Sequence, residues 1–227
     1  MKMRVTILSG YSRGLGAAML EHLLPKLSAT HKLICVGRAA VKFTDPNLSL
    51  FKCDLSSQVD WSGLLDAVPT KVDELRVILN AGTIEPIVKV GAISPEAFTQ
   101  STMINYIQPV LMVNQLVSLL EEPDVSMKVV NISTGAASRP IAGWGAYCAT
   151  KCAVKMHLEV LKQEYDEQVS VAHLDPGVMD TGMQETIRSK SVEEFPDAAY
   201  FAELKESGKL RSPSSVAREI FDEVDEL

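Results

Sequence analysis

A tyrosine and a lysine four residues apart, Tyr147 and Lys151, are the residues of this sequence best suited to acid/base chemistry. On a helix, side chains four residues apart lie on the same face, so the Lys151 ammonium can approach the Tyr147 phenol. A free tyrosine titrates at about pH 10, and a neighbouring cation favours the phenolate and so lowers the pKa. We therefore expect Tyr147 to exchange a proton near neutral pH.

The helix predicted around this pair indicates that the pair faces the interior. One stripe of that helix holds Tyr147, Lys151, Val154, Leu158 and Leu161. Because an apolar stripe on a helix packs against the core, the reactive pair is expected to be buried with it. A hydroxyl pair, Ser133 and Thr134, lies upstream, with Thr134 thirteen residues before the tyrosine.

A glycine-rich turn follows the first predicted strand, with the sequence Ser9-Gly10-Tyr11-Ser12-Arg13-Gly14-Leu15-Gly16. Glycines let a backbone approach a pyrophosphate closely, and the helix that follows points its N-terminus at the phosphate charge. A tight strand-to-helix turn without a ligand would have the same composition. The turn therefore indicates a dinucleotide site only together with the elements around it.

Short β-branched segments alternate with longer helical patterns, which is typical of βα units on a parallel sheet. The predicted strands are residues 5–8, 33–36, 48–51, 75–79, 127–132 and 169–174. The predicted helices are residues 15–27, 58–67, 95–120 and 146–167, and a last helix that begins at Ser212-Pro213. Residues 181–212 read as a helical lid outside the sheet. We expect one α/β domain over residues 1–227, a doubly wound parallel sheet of six or seven strands with helices on both faces.

Composition narrows the classes of partner. The chain is 46% hydrophobic and 22% charged, as in ordinary globular proteins, and no apolar run approaches the roughly 20 residues of a membrane helix. A net charge of −7 without a Lys/Arg cluster argues against nucleic acid. The start of the chain leads directly into a strand without a signal peptide, so we expect a cytoplasmic protein.

The four cysteines, Cys35, Cys53, Cys148 and Cys152, suggest reduced and buried thiols rather than a disulfide framework. Two of them, Cys148 and Cys152, have helical spacing, but no His or Cys cluster accompanies them. We therefore expect no metal site.

The spacing G-x-x-x-G-x-G and the motifs after it resemble the short-chain dehydrogenases/reductases. Matching motifs follow in family order from residue 9 to residue 181: Asn80-Ala81-Gly82, Asn105, Ser133-Thr134, Tyr147 with Lys151, and Pro176-Gly177 with Thr181. Two further stretches, residues 143–148 and 176–184, are similar to the branch that holds sepiapterin reductase and the bacterial and yeast benzil reductases. The resemblance implies a Rossmann-type fold and reduction of a carbonyl group with a nicotinamide dinucleotide.

For the catalytic residues, the resemblance implies that Tyr147 donates a proton to the carbonyl oxygen. Lys151 would hold the ribose hydroxyls and keep the phenol acidic, while Asn105 would support a water relay. Thr134 would orient the substrate carbonyl, although the family more often has serine there. Ser133 remains an alternative for that role.

For the cofactor, the resemblance implies contacts from residues spread over the first 181 positions: Gly10, Ser12, Arg13, Gly14, Leu15, Gly16, Arg38, Asp54, Asn80, Ala81, Gly82, Tyr147, Lys151, Pro176, Gly177, Val178 and Thr181. No acid ends the second predicted strand, whereas Arg38 and Arg13 could bind a 2′-phosphate. NADPH/NADP+ is therefore expected rather than NADH. Asp54 matches a family position that bonds adenine, or it caps the following helix. The carboxylate of Asp175, directly before Pro176-Gly177, has no assigned role.

For the substrate, the expected contacts are Thr134, Gly135, Trp144, Tyr147, Met179 and Met183, which form an apolar wall that tolerates aromatic groups. We expect an NADPH-dependent reductase of a ketone or vicinal diketone, of the benzil or sepiapterin kind. The alternatives are an NADP(H)-binding sensor without turnover, and a 3-oxoacyl carrier-protein reductase or a sugar or steroid dehydrogenase. An acidic chain would dock an acidic carrier protein poorly. The resemblance also implies a homodimer through the two long helices.

Overall fold

The computed structural model describes residues 2–226 and contains a six-stranded sheet in the order β3-β2-β1-β4-β5-β6. The strands are β1 (Arg4–Ser9), β2 (His31–Gly37), β3 (Leu48–Lys52), β4 (Glu74–Leu79), β5 (Ser126–Ile132) and β6 (Val169–Leu174). All five neighbouring pairs are parallel. The strand order reverses between β1 and β4, and in such sheets a crevice forms outside the carboxyl ends of the strands at this point.

Helices cover both faces of the sheet. They are α1 (Gly14–Leu23), α2 (Ser62–Ala67), α3 (Pro95–Thr102), α4 (Gln108–Val117), α5 (Gly145–Glu164), α6 (Gly182–Arg188), α7 (Ala198–Glu206) and α8 (Pro213–Glu226). Neighbouring strand residues point to opposite faces, so Ile7 packs in a core with α2, α4 and α5, whereas Leu8 packs in a core with α1 and α8. The predicted fold class is confirmed, with six strands in the described part of the chain.

Several predicted helix boundaries are wrong. The helix predicted over residues 95–120 consists of α3 and α4 joined by a π-helical turn, Met103–Ile107, that contains Asn105. The helix predicted from residue 58 begins only at Ser62, and α1 ends at Leu23 because Pro25 imposes a short 3-10 turn. The predicted N-cap of the last helix is confirmed, since Ser212 Oγ accepts a hydrogen bond from Ser215 N at 3.1 Å.

Residues 181–212, which were predicted as a helical lid, contain α6 and α7. Two aromatic side chains of this segment pack onto Trp144 at the start of α5, one from the turn between the two helices and one from α7. The ring of Phe195 stacks on Trp144 with a centroid distance of 5.0 Å and an interplanar angle of 6°. Phe201 lies 5.9 Å from the same indole. The lid is therefore attached to the element that carries Tyr147.

One helical segment is long and apolar enough to cross a membrane by length and composition alone. It runs over Pro95–Glu121, with a mean hydropathy of 1.3 in its most apolar window, of which 39% is buried. Core helices of globular proteins pass the same test, and Met112, Val113 and Leu116 of this segment pack on the sheet. The expectation that no stretch reaches this apolarity was therefore wrong.

All four cysteines are free. Cys35 is buried, but Cys152 is exposed, so the expectation of buried thiols is wrong at this position. Cys152 follows Lys151 on α5 and therefore points away from the buried stripe of that helix.

Candidate active site

A cleft of about 1280 Å³ opens at the carboxyl ends of the strands. Its lining includes every residue predicted to bind the cofactor or the substrate, from Gly10 in the first turn to Met183 in the lid. Thr134, Tyr147 and Lys151 line it as well, whereas Asn105 does not. The structure thus brings together residues that are up to 173 positions apart in the chain, from Gly10 to Met183.

Tyr147, Thr134 and Lys151 meet at the floor of this cleft. The Thr134 side chain lies close enough to the Tyr147 hydroxyl to lower the pKa of the phenol, and its Oγ1 accepts from Ala136 N at 3.3 Å. Lys151 Nζ donates to Ile132 O at 2.8 Å and lies 6.0 Å from the centroid of the Tyr147 ring. The hydroxyl side chain that acts on the phenol is therefore that of Thr134, while Ser133 lines the cleft beside it.

Burial dominates the protonation of this group. Burial raises the pKa of Tyr147, and the neighbouring Asp175 carboxylate raises it further, against the lowering effect of the Thr134 hydrogen bond. Burial also lowers the pKa of Lys151 to about 8. The expectation that Lys151 lowers the pKa of Tyr147 is wrong for the protein without ligands, because desolvation of the phenolate outweighs the nearby ammonium. The phenol stays protonated at neutral pH.

Asn105 is buried behind the cleft and holds a loop. Its Oδ1 accepts from Thr83 N at 2.8 Å, and its Nδ2 donates to Thr83 O at 2.9 Å. Nδ2 also lies within 3.4 Å of the hydroxyls of Ser101 and Thr150. Because these bonds occupy the side-chain amide, Asn105 positions the Gly82-Thr83 segment against Lys151.

The glycine turn has a shape that suits a dinucleotide phosphate. A Cβ on Gly16 would lie 2.0 Å from Gly10 O, and one on Gly10 would lie 2.7 Å from Ala81 Cα. Gly10 also has a φ of +70°, which favours glycine. These positions leave a concave backbone at the N-terminus of α1, where an anion is stabilised by the unpaired N–H groups and the helix dipole.

Ser9 is a residue of this turn that the sequence reasoning missed. Its hydroxyl donates to Ile78 O at 3.2 Å and accepts from Asn80 N at 3.1 Å and Ala81 N at 3.2 Å. The serine thereby ties the end of β1 to the end of β4. A serine that ends a strand is common, so its type and position carried no sign of this role.

Two arginines face the far end of the cleft, Arg13 at the start of α1 and Arg38 after β2. Arg38 lies 3.4 Å from Asp54, but the exposures of the two side chains, 74% and 43%, make this a weak ion pair. Asp54 Oδ1 accepts from Ser56 N and Oγ at 2.9 and 2.7 Å. The alternative that Asp54 caps α2 is wrong, because that helix begins only at Ser62.

The substrate end of the cleft is aromatic and apolar. The buried Trp144 ring stands edge-on to Tyr147, with centroids 5.6 Å apart. Gly135, Met179 and Met183 lie on the same wall. The cleft also includes residues that the sequence reasoning did not assign: Arg139, Asp175, Lys190, Asp197, Tyr200 and Phe201. Most of them are charged or lie on the lid, so from the sequence alone they cannot be distinguished from ordinary surface residues.

A family model covers most of the chain. The family model described as short chain dehydrogenase matches residues 4–192 of the chain. The chain belongs to the short-chain dehydrogenase family, whose members are oxidoreductases that act on alcohol and carbonyl groups with nicotinamide cofactors.

Within the family, the chain resembles the benzil and sepiapterin reductases. It is 32% identical to benzil reductase ((S)-benzoin forming) of Bacillus cereus over 233 residues, which covers 96% of this chain and 92% of the relative. It is 30% identical to the sepiapterin reductase of Bos taurus, with coverage of 90% and 83%. The crystal structure of the KRED1-Pglu enzyme superimposes with a TM-score of 0.81 at 26% identity and covers 95% of this chain and 92% of its own.

Proposed function

We propose that this protein is an NADPH-dependent carbonyl reductase that converts a ketone or vicinal diketone, of the benzil or sepiapterin kind, to the alcohol. The observation that carries the proposal is the Tyr147 phenol, which lies beside Thr134 at the floor of the cleft and is kept protonated by burial. A reductase must give a proton to the carbonyl oxygen, and a neutral phenol is able to donate one.

In this mechanism, Tyr147 and Thr134 both direct hydroxyl groups at the substrate oxygen. Thr134 orients the carbonyl, and Tyr147 transfers its proton as negative charge develops on the oxygen. A 2.8 Å hydrogen bond to Ile132 O holds the Lys151 ammonium near the phenol. From this position the ammonium can offset the charge left on the phenolate. Trp144 and the lid give the reacting end an apolar wall.

The residues of the glycine turn fit a dinucleotide, since the concave backbone at Gly10 and Gly16 leaves no room for side chains. The N-terminus of α1 would hold its pyrophosphate, and Lys151 its ribose hydroxyls. Arg13 and Arg38 would bind a 2′-phosphate, which favours NADPH over NADH. When bound, the reduced nicotinamide supplies the hydride.

The test is turnover of benzil by the native chain and by Tyr147→Phe, followed through the near-ultraviolet absorbance of NADPH. We expect kcat to fall by about 10³-fold, because the proton donor is lost while the ring remains. NADPH binding, measured by fluorescence titration, should stay within about twofold of the native value. Tyr200→Phe, which removes a hydroxyl from the lid, is the matched control and should remain active.

Two outcomes would contradict the proposal. NADPH binding without turnover across a panel of ketones and diketones would favour a sensor. A native chain that turns over faster with NADH than with NADPH would remove the proposed role of Arg13 and Arg38.

A further inference from the structure

A carboxylate lies at the reacting end of the cleft, on Asp175. It follows β6 directly, and its side chain is exposed to the cleft that contains Tyr147 and Thr134. Its Oδ1 accepts from Gly177 N at 2.9 Å, which fixes the orientation of the group. Its Oδ2 lies 3.9 Å from the position that a Cβ on Gly135 would occupy. The carboxylate therefore lies beside the residue that follows Thr134.

The charge of Asp175 is not neutralised by a neighbouring cation within the described residues. Asp175 forms no ion pair there, although two arginines lie in its surroundings. Arg139 Nε lies 3.3 Å from the same Cβ position on Gly135, and Arg211 donates to Pro176 O at 3.2 Å. Asp175 and Arg139 thus flank Gly135 without pairing. After burial, the Asp175 carboxylate also raises the pKa of Tyr147, so its charge acts on the reacting end of the cleft.

We propose that Asp175 selects substrates by charge: it excludes carbonyl compounds that carry an anionic group next to the reacting carbon and leaves the site to neutral ketones and diketones. The inference rests on the proposed carbonyl-reductase function. Two like charges in a partly dehydrated cleft repel far more strongly than in water. Because the substrate carbonyl must reach Tyr147 and Thr134, a carboxylate attached to that carbonyl would have to enter the field of Asp175.

A matched pair of substrates isolates this effect. Methyl benzoylformate and benzoylformate share one carbon skeleton and one reacting ketone, but only the second is an anion. We expect the native enzyme to prefer the ester by at least about tenfold in kcat/KM. Asp175→Asn keeps the acceptor for Gly177 N–H and removes the charge. This variant should lower the preference by about tenfold, mainly through a gain on benzoylformate.

The control is Asp180→Asn, which removes a carboxylate that lies in the same segment, is paired with Lys205 and does not line the cleft. It should keep the native preference. An unchanged preference in Asp175→Asn would overturn the inference. So would a native preference for benzoylformate that Arg139→Gln abolishes, because Arg139 would then anchor the anion. If neither methyl benzoylformate nor benzil is reduced by the native chain, it is the proposed function that fails.

Discussion

Lys151 carries its charge in surroundings that disfavour it. The ammonium is buried, with one hydrogen bond to Ile132 O at 2.8 Å, and burial lowers its pKa to about 8. At a pH below about 8, the lysine is protonated in both folded and unfolded chains, so folding carries the full cost of burying the charge. Between about pH 8 and 10.5, only the unfolded chain stays protonated. Stability from this residue therefore rises with pH in that window.

The predicted rise in stability with pH can be tested with Lys151→Met, which has no charge to bury. From about pH 8 to pH 10, the free energy of unfolding of the native chain should gain about 1 kcal/mol per pH unit relative to the variant. Urea denaturation of the protein without cofactor, repeated at several pH values, measures this difference. Lys162→Met, on the exposed face of the same helix, should show no such trend. A flat difference for Lys151→Met would contradict the effect of burial.

Residue types and spacing predicted which groups meet, but not their protonation. The five-residue stripe of α5 is buried as its periodicity indicated, and Tyr147, Lys151 and Thr134 line one cleft. The pKa of Tyr147 could not be predicted, because it depends on depth of burial and on Asp175, a residue that only the fold brings near. The bonds of Asn105 to Thr83 likewise depend on tertiary contacts.

At the scale of elements, the turn between β1 and α1 determines whether a dinucleotide can approach the sheet. Gly10 O lies where a Cβ on Gly16 would be, so even a methyl group would push the two halves of the turn apart. We expect Gly16→Ala to cost about 1–3 kcal/mol of stability through this overlap. NADPH affinity should fall at least about tenfold because the backbone N–H groups move.

Thermal unfolding and fluorescence titration with NADPH measure the two effects of Gly16→Ala. The control is Gly91→Ala, in the 3-10 turn Val90–Ala92, where an added Cβ has no neighbour within 4 Å. Its stability should stay within about 0.5 kcal/mol of the native value. If Gly16→Ala behaved like this control, the turn would not be as close-packed as described.

The elements themselves were largely predictable. All six strands were predicted within three residues of their observed ends, because β-branched residues and turn signals mark buried parallel strands. The π-helical turn at Met103–Ile107 was not predicted. It departs from the ordinary helical period, but those five residues contain no proline or glycine that would indicate this. The two lid helices were foreseen only as a helical region, because their packing on Trp144 comes from distant aromatic residues.

On the scale of the whole molecule, the outer surface of α3, α4 and α5 exposes several large apolar side chains among polar ones. Exposed side chains there include Phe98 on α3, Leu111 on α4, and Met156 and Val160 on α5, with exposures of 45%, 42%, 64% and 44%. Val113 of α4 and Val160 of α5 line one shallow groove of about 120 Å³. Isolated exposed apolar residues are ordinary, but several of them on neighbouring helices suit a protein partner. We propose that a second copy of the chain covers it.

This proposal predicts a homodimer in solution, measured by sedimentation velocity. The double variant Leu111→Lys/Met156→Lys should sediment as a monomer, because two buried ammonium groups on each subunit would lack partners. Val192→Lys changes an apolar residue of the lid that is 58% exposed and should leave the dimer intact. A native chain that remains monomeric at tens of micromolar would rule out this contact.

The stacking of Trp144 on the lid has an optical consequence. The chain has two tryptophans. The other one, Trp61, is buried in the core that Ile7 shares with α2, α4 and α5, and its indole N–H is bonded to Gln108 Oε1 at 2.9 Å. Emission from Trp144 therefore arises between Phe195 and the proton donor. We expect a ligand that separates Phe195 from this indole to shift the wavelength of its fluorescence, so that such binding can be followed without an added dye.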